Sequence, residues 1–430
     1  MTNIQKIRLI SFSILCGLII AAFWSAYQTH FHAAYPYNTF LFRPDDRFMD
    51  FFNAHHVFKA FTYIGQDLAI YFPFTFLVFY PLSLLSKEVA FIVFNVLFVT
   101  YIYYFIISFT QSIRQKLDSL GYHQLIITTI FLSYPFIYCF DRGNLEIIVF
   151  IFLSFSIVLF SRKKYALSAV FLAFATGMKL YPAIFALLYV KEKRYKELAL
   201  YICFTAIITA VALCCLHGGF SKNLTVLLQR TQYIYNDSYM MAGVRQSSSL
   251  MATLKILYVQ IQSFSHVVTF TELATFVHWV SPIYSAISFI LIFVCSIYIS
   301  LYENIFWKQL MILTLLMILL PAISFDYKLI HIFIPLALFF CEKKSLKNSF
   351  AKFYLIMFAL LLIPKNYYIF SLTVQNYIGD PADLNASISV FANTLIIISF
   401  LITIVIERAS KVRQNKPDTD LFSNEKEWNN

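Results

Sequence analysis

Charged residues are scarce in this chain. Asp, Glu, Lys and Arg make up 13% of its 430 residues, about half of the ~25% found in a soluble domain, which excludes an ordinary water-soluble globular protein. The local signatures of common soluble chemistries are also missing. There is no Gly-rich phosphate loop, no Gly-x-Ser-x-Gly, no His-Glu-x-x-His and no Cys–His metal spacing. Cys16, Cys139, Cys203, Cys214, Cys215, Cys295 and Cys341 lie almost all inside apolar runs and read as small core hydrophobes. No internal repeat of convincing similarity is present. The series of short alternating segments that a membrane β-barrel requires is absent. No small-x-small cleavage site follows the N-terminal apolar run, so that run reads as a retained helix.

What fills the chain is hydrocarbon. Apolar residues reach 60% and aromatic residues 19%, with a mean hydropathy of +0.71. Apolar runs of roughly 17–25 residues recur, the length that a ~30 Å bilayer core demands of a helix. The fold class is therefore an all-α polytopic membrane protein. Its formal net charge of +11 sits in short Lys/Arg clusters between the runs, as the positive-inside rule expects. Membrane lipids, and not nucleic acid, are the partners this implies.

Those clusters set a topology. Lys6 and Arg8 put the N-terminus in the cytoplasm, and the run at about 9–27 leads out to a polar loop. Segment 69–86 is short and carries Pro73 and Pro81, so it is expected to be bent or re-entrant. Segment 88–110 returns to a basic loop with Arg114 and Lys116. Segments 124–140 and 147–161 enclose Phe140–Glu146. Arg162, Lys163 and Lys164 precede the run 166–190, and a second basic cluster follows it. If both clusters share one side, that run must rise and return, and Gly177, Lys179 and Pro182 mark where it breaks into two half-helices. The polar stretch 217–249 is expected outside, with residues 251–264 along the interface. Spans at about 275–301, 309–323, 352–370 and 388–406, plus the descent through 332–340, complete the chain. The membrane domain is expected over 1–407 and a polar cytoplasmic tail over 408–430.

This bookkeeping delivers Asp50, Arg142, Asn144, Glu146, Lys179, Arg245, Lys328 and His331 to one outer face. Asp50 lies in an aromatic-rich segment of the first loop, beside turn acids Asp45 and Asp46. Partial burial makes a carboxylate a better base, so Asp50 is the candidate general base; its plain structural reading is a helix cap or solvated acid. His55 and His56 are adjacent and cannot both face one site, which argues against a metal. Arg142, Asn144 and Glu146 cluster between two apolar runs, where ionisable groups mark a function or a pair; the plain alternative is an Asp141–Arg142 salt bridge. Lys179 stands mid-run, either snorkelling or meeting a phosphate. Lys328, His331 and Arg245 repeat that signal more weakly.

These residues in this order resemble glycosyltransferase family 87, integral-membrane transferases of the GT-C superfamily. The resemblance rests on MDFFNA with FPFTFLVFYPLSLLS, on RGNLEIIVF, and on SAVFLAFATGMKLYPAIFALLYVKEKR with its Lys-x-x-Pro block. Weaker matches are QSSSLMATL and LLPAISFDYKLIHIFIPLALFF. The pattern spans roughly residues 10 to 340, and RGNLE is also similar to the matching block of the GPI mannosyltransferases. Family members often carry Gly-Gln-x-Asn where this chain reads Asp141-Arg142-Gly143-Asn144. The resemblance implies a GT-C-type fold with about 10–13 membrane helices, some broken, in the cell membrane, for which a bacterial inner membrane is the expected setting. It implies inverting, metal-independent transfer, without a cofactor, of a hexose or pentose from a polyprenyl-phosphate donor to a hydroxyl of a glycolipid or glycan acceptor. The base would be Asp50, and Arg142, Asn144, Glu146, Lys179, Arg245, Lys328 and His331 would bind the donor phosphate or substrate. The competing readings are a transporter or lipid flippase, and a membrane polysaccharide polymerase.

Overall fold

The computed structural model describes residues 3–41, 44–65, 71–114, 129–236, 244–341, 350–375 and 381–413. The expected basic loop beyond Arg114, the start of the expected segment 124–140, the cluster at 342–349 and the tail beyond 413 lie outside them. Among the described residues, five helices are long and apolar enough to cross a membrane, and six shorter apolar helices accompany them. The long ones are α1 (Asn3–His30), α4 (Lys87–Arg114), α9 (Tyr195–Cys215), α12 (Phe270–Leu301) and α16 (Ser389–Arg413). Each turns apolar side chains outward, such as Phe12 and Phe23 on α1 and Phe289 and Phe293 on α12, as lipid-facing helices must.

Between α1 and α4, the first polar loop folds into α2 (Met49–Ala60) and α3 (Pro73–Ser83), packed against each other. The 11 residues of α3 cover about 16 Å at ~1.5 Å per residue, half a bilayer core, which agrees with the short, proline-marked segment expected here. α5 (Tyr134–Arg142) and α6 (Glu146–Ser161) follow, joined through Gly143.

The run after α6 breaks where the sequence places the break. α7 (Tyr165–Met178) stops at Lys179, whose backbone is extended, and the chain continues as a 3-10 turn (Tyr181–Ala186) into α8 (Leu187–Lys191). The second half runs back beside the first: the Tyr189 hydroxyl meets Ser168 Oγ at 2.7 Å, and the Tyr189 ring lies 5.3 Å from Phe160. α3 braces the break, since Thr75 Oγ1 donates to the Met178 carbonyl at 3.0 Å.

In the second half of the chain, α13 (Phe306–Leu319) is buried at every position from Trp307 to Leu319. A helix buried all round belongs in a core, and α14 (Phe333–Cys341), α16 and α15 (Ala351–Leu362), whose Tyr354 ring lies 5.2 Å from Trp307, surround it. Three expectations need correction. The stretch 217–249 is not simply a loop, because Gly219–Asn236 forms α10, whose Leu224 and Leu227 pack on the core. Segment 251–264 forms α11 (Leu250–Gln262), which buries Met251, Ala252, Ile256 and Val259 against protein instead of merely lying along the interface. Finally, α15 ends at Leu362, and a β-hairpin (β2, Ile369–Gln375; β3, Pro381–Ser387) follows, with β1 (Val268–Thr269) parallel to β2. Phe370, Leu372 and Val374 alternate with polar residues and pack on a small second core, the period-2 signature of a half-buried strand. The span expected at 352–370 therefore stops short as a helix, and its last two residues, Ile369 and Phe370, open β2.

Candidate active site

Three elements meet around Asp50. It sits in the first turn of α2, where the helix dipole favours an anion, so it is not a cap; Phe48 holds that place with a left-handed backbone. The Phe48 N–H donates to the Asp141 carbonyl at 2.8 Å, which fastens α2 to the end of α5. The side chain of Arg142 then forks onto Asp50, with Nε donating to Oδ2 at 3.1 Å and Nη2 to Oδ1. Asn144 Nδ2 donates to Oδ2 at 2.6 Å. Asn144 also accepts the Glu146 N–H at 2.9 Å, so one amide joins the Asp50 carboxylate to the start of α6. Gly143 makes this approach possible. Its φ is +59°, and a Cβ there would lie 2.8 Å from Phe51 Cβ. The Asp141–Arg142 salt bridge is corrected: Asp141 faces Arg47 at 3.6 Å instead.

A second group adjoins the first. Glu146, fully buried, receives Lys179 Nζ at 2.7 Å, His331 Nε2 at 2.6 Å and the Tyr181 hydroxyl. An ionised carboxylate only accepts, so His331 donates from Nε2. Lys179 reaches Glu146 from the α7 break, and its Nζ lies 5.2 Å from the centre of the Tyr327 ring. Lys328 Nζ stands 4.3 Å over Tyr181 and donates to the Ile323 carbonyl at 3.2 Å. Lys328 lies in the turn between α13 and α14, and burial pushes its ammonium down to about 7 despite the opposing pull of Glu146. Tyr327 stands between the groups. Burial, followed by Asp50 and Glu146, pushes its hydroxyl well above the usual range, which keeps it a proton-bearing donor.

The structure thus brings Asp50, Arg142 and Asn144 together, and Glu146, Lys179, Lys328 and His331 beside them. Arg245 joins neither set by a hydrogen bond or ion pair. Its guanidinium lies 4.8 Å over the Tyr35 ring, with Nε and Nη2 buried and without a hydrogen-bond partner.

Comparison with known families bears on this arrangement. The sequence model of glycosyltransferase family 87 matches residues 69–321, more than half of the chain. The chain belongs to glycosyltransferase family 87. No individual curated protein matches it. Family membership makes this a membrane glycosyltransferase, and the transporter and flippase readings give way. The matched segment holds Arg142, Asn144, Glu146, Lys179 and Arg245; Asp50, Lys328 and His331 lie outside it.

Two parts of this family 87 protein escaped sequence reasoning. Tyr181 and Tyr327 carry no signal among 29 tyrosines, although both lie beside a singled-out lysine. Asp326 was overlooked in the same SFDYKLIH turn. It is buried and accepts from Ser248 at 2.6 Å, Asn366 at 2.9 Å and Asn393 at 3.2 Å, tying the stretch before α11, the stretch after α15 and the start of α16 together. Burial raises its carboxyl against those hydrogen bonds.

Proposed function

We propose that this glycosyltransferase moves a sugar from a polyprenyl-phosphate donor to an acceptor hydroxyl in one inverting displacement at the Asp50–Lys179 site, on the extracytoplasmic side. The observation that carries the reading is the juxtaposition of an oriented carboxylate with a separate nest of cations. The acceptor oxygen bonds to the anomeric carbon as the bond from that carbon to the phosphate oxygen breaks, and the acceptor proton passes to Asp50. A carboxylate offers about four lone-pair sites; Arg142 and Asn144 occupy three, so one remains for the acceptor hydroxyl. Lys179, Lys328 and His331 stabilise the charge that develops on the departing phosphate. Because a lipid monophosphate leaves with this help, the step needs no metal. Glu146 holds Lys179 and His331 directly, and Arg142 is shared between Asp50 and substrate. The acceptor is a glycolipid or glycan carrying the free hydroxyl.

The test uses purified protein in detergent with a panel of polyprenyl-phosphate hexoses and pentoses and of nucleotide sugars. Wild type is expected to transfer from a lipid-phosphate donor only. Asp50→Asn should lose ~10²–10⁴ in rate while still binding donor, and Lys179→Met should lose donor binding. Direct transfer from a nucleotide sugar, or an active Asp50→Asn protein, overturns the reading.

A further inference from the structure

The end of the bundle opposite the carboxylate–cation site carries charges that catalysis does not use. Two helix-to-helix turns lie there, one joining α6 to α7 and one joining α8 to α9. Both have the same build. Each has a lysine in the left-handed conformation, Lys163 at φ 58° and Lys193 at φ 54°. Each then has a second basic residue, Lys164 or Arg194, and a tyrosine that opens the next helix. Backbone preference alone would select Gly or Asn at such positions, so a lysine there is held against its conformational cost.

The turns lie side by side. The Arg194 guanidinium sits 4.3 Å over the Tyr165 ring, and Lys163, Lys164, Tyr165, Leu167, Arg194 and Glu197 line one open groove of about 570 Å³. Leu167 is 48% exposed on its wall, and Tyr195 is 61% exposed beside it.

We propose that this groove binds the phosphate headgroup of an anionic membrane phospholipid. Among the described residues that line the groove, Lys164 and Arg194 by themselves outnumber the one carboxylate, Glu197, so its lining carries a net positive charge to which Lys163 adds. The first turns of α7 and α9 both start at it, and their unpaired N–H groups and dipoles favour an anion. The exposed Leu167 and Tyr195 offer apolar surface for the start of the acyl chains. Basic pockets between membrane helices on the cytoplasmic side are typical headgroup sites, and the Lys/Arg content assigns these turns to that side. The site is separate from the donor site: α6 runs 16 residues from Glu146 to Ser161, about 24 Å at ~1.5 Å per residue. A bound lipid would bridge the start of α7 to the start of α9, and so brace the base of the hairpin whose tip carries Lys179.

Native mass spectrometry of the purified full chain tests this, with phosphatidylglycerol, phosphatidylcholine and inorganic phosphate as probes. Wild type is expected to retain phosphatidylglycerol over phosphatidylcholine, and millimolar inorganic phosphate should not displace it. Each cation removed should weaken retention about five-fold, so Lys163→Asn, Lys164→Gln and Arg194→Gln together should weaken it on the order of 100-fold. Asn is used at 163 because it tolerates the left-handed backbone. Glu197→Gln, which leaves all three cations in place, should strengthen retention. Equal retention of the two lipids by wild type, unchanged retention by the triple variant, no gain in Glu197→Gln, or full displacement by inorganic phosphate each overturns the proposal. If the triple variant fails to fold, the Glu197→Gln result decides.

Discussion

Lys328 has the most informative titration in the site. Burial holds its folded value at about 7, against ~10.4 for a free lysine. The unfolded chain therefore binds the extra proton between those values, and stability contributed by this group rises as pH climbs through that window. Capture of the proposed phosphate-linked donor moves the other way, because only protonated Lys328 attracts a phosphate. We expect kcat/KM for the donor to fall above about pH 7, while kcat changes less because a bound phosphate holds the proton on. Lys328→Met should abolish that limb of the pH profile. Glu146→Gln tests the neighbouring role. With its counter-anion neutralised, the Lys179–His331–Tyr181 arrangement loses the charge that gathers it, and loss of one partner of a buried pair costs ~3–5 kcal/mol. The expected readout is a lowered thermal midpoint together with weakened donor binding. A stable, fully active Glu146→Gln protein would show that the cations hold themselves in place.

At the scale of elements, the turn between α5 and α6 and the hairpin of half-helices do most to build the site. Gly143 lets α2 approach that turn. Gly143→Ala would put a methyl group 2.8 Å from Phe51 Cβ and hold alanine at φ +59°, a strain of ~1–3 kcal/mol. Melting in detergent should shift downward, and transfer should fall because the Arg142–Asp50 fork is pushed open. The half-helix hairpin is checked by accessibility. Cysteines introduced at Arg162 and Lys193 should both resist a membrane-impermeant thiol reagent in intact cells, while one at Lys222, exposed on α10, should react. Reaction at Arg162 from outside would mean that the two turns do not share the inner face. The break at Lys179 was legible in the sequence because a helix-breaking Gly-x-Lys-x-x-Pro set acts locally. The β2–β3 hairpin was not, because its alternation overlaps the end of the span expected at 352–370 and β3, PADLNAS, carries little strand pattern of its own.

Across the whole molecule, a second ionic cluster lies far from the site. Lys308 on α13 and Glu407 on α16 pair at 2.5 Å and are almost fully buried, with the Tyr354 hydroxyl of α15 donating to the same carboxylate. The clamp continues α16 past the expected end of its span, so Glu407 belongs to the folded bundle. Breaking one partner strands a buried charge, and Glu407→Gln should cost ~3–5 kcal/mol. Replacing both, as Lys308→Met with Glu407→Leu, should be near neutral or stabilising by the same principle. Thermal midpoints of the two variants in one detergent make the comparison.

The properties determined by sequence alone were those that depend on short stretches of chain. Span length follows from hydrocarbon thickness, and the half-helix break follows from a few residues around Lys179. Those same local facts pointed to Asp50, Arg142, Asn144, Glu146, Lys179, Lys328 and His331. The pairing of these charges was decided only by tertiary structure. Arg142 takes Asp50, 92 positions away, and not its neighbour Asp141; His331 takes Glu146, 185 positions away. In a low-dielectric interior a charge must pair with an opposite charge that packing brings within reach, and adjacency in sequence gives it no claim. Arg245, flagged with the others by sequence, departs from that rule: it lies over the Tyr35 ring with two unpartnered nitrogens.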